Sequence, residues 1–361
     1  MSIQSIRGYL RSILAVAIVF VSANTTFAQQ STVLQREIHS TNFADNKIGT
    51  DPVRHLSVYL PEGYEGSTTR YPVLYFLPNP MEPFHPAFFE GQAKRFLDNA
   101  IAKHQIGKII LVAADFSTPM GSSWYVNSPV TGNWSDFMTR ELVPYIDANF
   151  RTLSTRDSRG IFGDFMGGYG ALRFGMTHPE IFGSVYALHP VGTGSGLLTM
   201  YSRPDWDALT KAKSLQDAKT GFNGIFITIF QAHIPDVDKP PLYIDMQARK
   251  SGDALVIDSA VTARLRDNFF IESMVAKYAD NLMSLRGLKF DWARSDGNQD
   301  HVYANQALTH KLNEFGIRHE AEEYNGLWTG AGNWEDGGRI TTDVLPFFQK
   351  YLVFEAASVS K

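Results

Sequence analysis

The chain has 361 residues, 44 % of them apolar and 19 % charged, and 33 Lys and Arg stand against 37 Asp and Glu for a formal net charge of −4. That balance favours a large folded core and argues against nucleic acid and against polybasic membrane contact. There is no cysteine, which excludes disulfides, thiolate zinc sites, iron–sulfur clusters and a cysteine nucleophile.

Residues 1–28 read as an export signal. Arg7 and Arg11 precede an unbroken apolar stretch over 13–21, too short to span a bilayer, and Thr26-Phe27-Ala28 places small residues at a cleavage site. Cleavage after Ala28 leaves 29–361 as a single domain, expected to be exported to the periplasm or the extracellular space, with no membrane span in the mature chain. Segment 54–60 alternates like a strand and runs into the turn Pro61-Glu62-Gly63-Tyr64. Segments 71–77 and 108–114 are continuous apolar runs, the mark of strands buried on both faces, and 89–102 between them has helical spacing. A helix is expected over 134–149, a short strand over 159–163, a helix over 167–177 and a strand over 182–188. A strand over 288–292, a helix over 302–315, a strand over 319–324 and a helix over 341–352 complete the pattern. Strands alternating with helices predict an α/β fold with a mainly parallel, doubly wound sheet flanked by helices. The stretch of about 192–286 is too long for a loop and is expected to form a helical cap over the C-terminal edge of the sheet.

Several motifs carry a family resemblance. They are Trp124-Tyr125-Val126-Asn127-Ser128-Pro129-Val130-Thr131-Gly132-Asn133-Trp134, Gly163-Asp164-Phe165-Met166-Gly167-Gly168-Tyr169-Gly170, the His178-Pro179 and Phe182-Gly183 pairs, and the closing Val344-Leu345-Pro346-Phe347-Phe348. Together with the opening strand they resemble the esterase D and antigen 85 family of α/β-hydrolases over nearly all of 29–361. The resemblance implies an α/β-hydrolase fold and descent from serine esterases or acyltransferases. In that chemistry a serine on a tight strand-to-helix turn attacks a carbonyl, a histidine takes its proton, an acid orients the histidine, and backbone amides hold the oxyanion.

The resemblance places substituted residues at most of those positions. The nucleophile position is Phe165, which has neither a lone pair nor an exchangeable proton. The family's base position falls on Trp328, in Tyr324-Asn325-Gly326-Leu327-Trp328, and no histidine follows His319. In Phe76-Leu77-Pro78-Asn79-Pro80 the oxyanion donor position falls on Pro80, which has no amide hydrogen; the second donor, the Met166 amide, is kept. Asp296 matches the acid position, with Asp300 as the alternative. Losing one triad member leaves only about 10³–10⁴ acceleration over water, and losing one oxyanion donor costs roughly another 10²–10³. A bulky residue at the elbow also carries strain of about 1–3 kcal/mol, so either a relaxed turn or aromatic burial of Phe165 is expected.

Asp164, His189, Trp124 and Tyr125 are the candidate cleft residues, and Asp164, His189, Asp296 and His301 are candidates to converge there. Phe165, Trp328 and Trp134 are expected in or near the same cleft, Trp134 as a core anchor. No metal-ligand spacing is present and no cofactor is expected; His85, His233 and His310 are expected at the surface. Two readings follow. One is a pseudo-enzyme that binds a small acyl or carbohydrate ligand or a protein partner; the other is an active ester hydrolase or acyltransferase with a non-standard site.

Overall fold

The computed structural model describes residues 30–355 apart from 198 and 220, so the expected export signal lies outside the described residues. Eight strands form the central sheet: β1 (Thr32–His39), β2 (Val53–Leu60), β3 (Val73–Leu77), β4 (Ile110–Ala114), β5 (Arg159–Asp164), β6 (Ser184–Leu188), β7 (Gly287–Ala293) and β8 (Glu320–Tyr324). Their spatial order is β1-β2-β4-β3-β5-β6-β7-β8. The β1–β2 and β2–β4 pairs are antiparallel; every later pair is parallel. The apolar runs are buried along their whole length in β3, β4 and β6, as strands covered on both faces must be.

Alternation along the strands divides the core. Leu74, Phe76, Leu111 and Phe162 face one side, where α1 (Lys94–Ala102) and the C-terminal helix pack. Val73, Tyr75, Leu77, Val112 and Ile161 face the other, against α2 (Val143–Asn149), α3 (Met166–Thr177) and the segment beyond β6. That segment, 192–286, holds α4 (Asn223–His233), a hairpin of Ala248–Ser251 with Ala254–Ile257, and α5 (Ser259–Phe269). It is therefore not purely helical. After β7 come α6 (Gln299–Glu314) and finally α7 (Leu345–Tyr351). β1 has no counterpart in the sequence reading: it is an edge strand with a half-exposed, charge-rich pattern, and only its pairing with β2 defines it. Among the described residues no helix is long and apolar enough to cross a membrane.

Candidate functional site

β5 ends at Asp164 and α3 starts at Met166, leaving Phe165 alone on the turn at φ 52° and ψ −110°. The turn is this sharp because the flanking glycines admit no side chain. A Cβ on Gly163 would lie 2.4 Å from the Gly167 carbonyl carbon, and one on Gly167 would lie 1.9 Å from the Leu77 carbonyl oxygen. The Phe165 amide donates to the Leu188 carbonyl at 2.9 Å, tying the turn to β6. Met166 opens the helix, so its amide is among the first-turn donors without an intrahelical acceptor.

The turn is not relaxed. Left-handed φ in a bulky residue is costly, and aromatic contact offsets that cost here. The half-buried Phe165 ring stacks on Trp328 at 4.4 Å and 19°. His301 meets the Phe165 ring edge-on at 5.3 Å, and His189 lies parallel to Trp328 at 5.6 Å. The nucleophile and base positions of the resemblance thus hold two rings in mutual contact.

Beside these rings Asp296 accepts from two histidines through one oxygen, His189 Nε2 at 2.7 Å and His301 Nδ1 at 2.7 Å. Its other oxygen accepts the Asn298 amide at 2.9 Å. Burial would raise the Asp296 carboxyl, but the hydrogen bonds from His189, His301 and Asn298 outweigh it and hold the group well below the ordinary carboxylate range. The tautomers follow from the partners. His189 Nδ1 accepts the Ala293 amide at 3.0 Å, so its proton is on Nε2. His301 Nε2 faces the Asn298 side-chain amide at 3.0 Å, so its proton is on Nδ1. The three groups are close enough to hold a metal ion. However, a ligating histidine normally donates its second N–H outward, whereas the fully buried His189 accepts there and would have to ligate as an anion. The donor set therefore fits protons, not a metal.

Asp300, the alternative acid, serves the cap: it accepts the Leu197 amide at 2.6 Å and pairs with Arg203 at 2.6 Å. In the loop after β3, Pro80 is buried, and the Pro78 carbonyl accepts the Tyr125 hydroxyl. The Asn79 amide is directed to the Asp164 carboxyl.

A cleft of about 690 Å³ opens above the elbow, walled by Trp124, Phe165, Met166, Phe226, Phe269 and His301 among others. Several expected cleft residues lie elsewhere. Tyr125 is fully buried, its ring 4.9 Å from that of Phe116, because its hydroxyl is drawn inward to Pro78. Trp134 is buried with Phe43 at 4.4 Å, in the core-anchor place expected for it. Asp164 does not join His189, Asp296 and His301, because β5 directs it into a separate cavity. His233 is not at the surface. It sits against Tyr169 and Phe269, and burial, then the Arg173 charge, hold its pKa well below the ordinary value. The cap residues Phe226 and Phe269 were not legible as cleft residues. Of the four residues expected to converge, His189, Asp296 and His301 do come together.

Asp164 yields a stability prediction. Burial, and next the Glu82 charge, push its pKa up to about 7 from 3.8. Between those values the folded chain keeps a proton that the unfolded chain has released. Stability at this site therefore falls as pH rises from about 4 to about 7, then levels off. Asp164→Asn should match the parent near pH 4 and exceed it near pH 8, by at most about 4 kcal/mol. Urea midpoints at the two pH values check this; equal differences at both would contradict it.

Residues 49–227 match the sequence pattern of the family described as "Putative esterase". The chain is 30 % identical over 189 residues to Esterase Rv1288 of Mycobacterium tuberculosis, an alignment covering 46 % of this chain and 39 % of that one. It is 31 % identical over 138 residues to an endo-1,4-beta-xylanase/feruloyl esterase of Xylanibacter ruminicola, covering 37 % and 19 %. The chain thus spans about two fifths or less of the length of these relatives. Among solved structures, a ferulic acid esterase superposes with a TM-score of 0.62 at 19 % identity, over 90 % of this chain and 100 % of that one. An S-formylglutathione hydrolase from Agrobacterium tumefaciens superposes with a TM-score of 0.57 at 17 % identity, over 92 % and 99 %. The sequence match, the strand order and the strand–turn–helix at Phe165 agree, and the chain belongs to this esterase family, on an α/β-hydrolase fold.

Proposed function

We propose that this chain is an exported, non-hydrolytic member of its family that binds an acyl or carbohydrate ligand, or a protein partner, at the cleft above Phe165. One observation carries the reading: the rings of Phe165 and Trp328 are stacked at 4.4 Å where a serine–histidine pair would have to meet. The cleft supports an acyl or aryl ligand, since its wall is mainly apolar with a few polar groups, His301, Arg203 and Asp300 among them. Relatives whose names include feruloyl and ferulic acid esterase agree with that ligand class.

The test is a panel of short-chain aryl esters with a fluorophosphonate probe. No turnover above buffer and no covalent label are expected; probe-sensitive turnover would overturn the reading. Phe165→Ser alone should stay at background, because Pro80 supplies no amide hydrogen. Appreciable turnover from that variant would show that the Pro80 and Trp328 positions are not those of the missing donor and base.

A second reading has its own observation. His301 lines the cleft with its Nδ1–H on Asp296 and its Nε2 lone pair accepting the Asn298 side-chain amide, which gives it the polarity of a general base once a water replaces that amide. Such a dyad would activate water on a bound ester without a covalent intermediate. Probe-insensitive turnover abolished by His301→Gln would favour this reading over the first.

A further inference from the structure

The second cavity, about 250 Å³, shares no lining residue with the cleft. Its walls are aromatic: Phe76, Phe84, Phe88, Phe89 and Trp334. Trp334 stands edge-on to Phe76 and to Phe88, each at 5.4 Å, and Phe84 stacks on Phe89 at 5.4 Å. Asp164 contributes the buried polar group, with 7 % of its surface exposed, and Glu82 and His85 complete the charged or titratable lining. No lysine or arginine lines the cavity, and the hydrogen bonds that favour the ionised Asp164 come from neutral groups.

Chemistry narrows the occupant. A purely apolar molecule would leave the carboxyl facing hydrocarbon, which is costly for a buried charge. An anion would be repelled by both carboxylates and by the negative faces of the rings. A hard metal ion requires six or more oxygens, and five of the lining residues are aromatic hydrocarbons or indole. An organic ammonium group satisfies both features, since its charge meets the carboxylate and its carbons meet the rings, the arrangement of an aromatic cage. The volume admits a headgroup with several carbons, given that a cavity of about 150 Å³ accepts benzene.

We propose that the Asp164 cavity is a binding site for a small organic ammonium ion, held by the Asp164 carboxylate and the rings around Trp334 and Phe88. The site is independent of the cleft and of whether the elbow is catalytic.

The experiment titrates the full chain with benzyltrimethylammonium chloride by calorimetry at about pH 8 and constant ionic strength. Benzyl alcohol and 3,3-dimethylbutanol serve as neutral counterparts. Saturable binding of the cation is expected, at least about tenfold tighter than either neutral molecule. Asp164→Asn should weaken it by about tenfold or more. Glu82→Gln, an exposed change that leaves the fold intact, should weaken it about two- to fivefold. Equal binding of the neutral molecules would reduce the site to an apolar hole, and unchanged binding in both variants would remove the carboxylates from it. No saturable binding up to about 10 mM cation would overturn the proposal outright. If Asp164→Asn fails to fold, the Glu82→Gln and neutral-molecule comparisons still decide.

Discussion

Gly167→Ala is expected to lower stability by at least about 3 kcal/mol, enough to empty much of the folded population of a domain whose total is about 5–15 kcal/mol. The added Cβ would stand 1.9 Å from the Leu77 carbonyl oxygen and 2.8 Å from its carbon. Both are backbone atoms of β3, fixed by pairing with β4 and β5, so no side-chain rotation can make room. The start of α3 would have to move off the sheet, taking Phe165 from Trp328. Gly91→Ala is the control: nothing lies within 4 Å of its Cβ and the residue is helical. That change should be neutral or stabilise by about 0.5–1 kcal/mol. Urea unfolding of both variants decides, and a Gly167→Ala protein within about 0.5 kcal/mol of the parent would contradict the packing described.

The second large effect belongs to Asp291, which is fully buried on β7. It accepts the Tyr186 hydroxyl at 2.7 Å, Arg339 Nε at 2.7 Å and the His189 amide at 3.1 Å. Asp291→Ala would leave three donors without this acceptor. Removing one partner of a buried pair costs about 3–5 kcal/mol. Arg339 keeps Glu322 at 2.7 Å and Asp343 at 3.2 Å, which places the expected loss near 3 kcal/mol. Adding Arg339→Met should recover part of that loss, because the guanidinium would no longer lack its inner partner. A double variant as unstable as the sum of the two single ones would show that the two side chains are not coupled. The His189 amide rests on Asp291, so the histidine cluster should loosen as well. Broadened or shifted His189 and His301 ring resonances in a still-folded Asp291→Asn variant would report it.

The strand-to-helix turn at Phe165 was legible because it depends on neighbours in sequence. Gly163, Gly167 and Gly168 mark the crossing, and the residue between strand and helix occupies the turn whatever its chemistry. The buried runs of β3 and β4 were legible for the same reason, since a strand covered on both faces needs an unbroken apolar segment. β1 was not, because an edge strand with one exposed face tolerates Gln35, Arg36 and Glu37, and nothing local separates it from a loop. Asp164 and His233 were misplaced on similar grounds. Each owes its surroundings to distant segments, Asp164 to residues 76–92 and 330–334, and His233 to Tyr169 and Phe269.

By itself, then, the sequence determined the α/β class, the turn, and the absence of an oxygen nucleophile at its apex, since those depend on side-chain identity and short-range spacing. Only the tertiary structure decided that the Phe165 and Trp328 rings stack, that Asp296 gathers His189 and His301, and that an aromatic cavity closes around Asp164. Each of these joins residues far apart along the chain, and such contacts are set by how strands and helices cross.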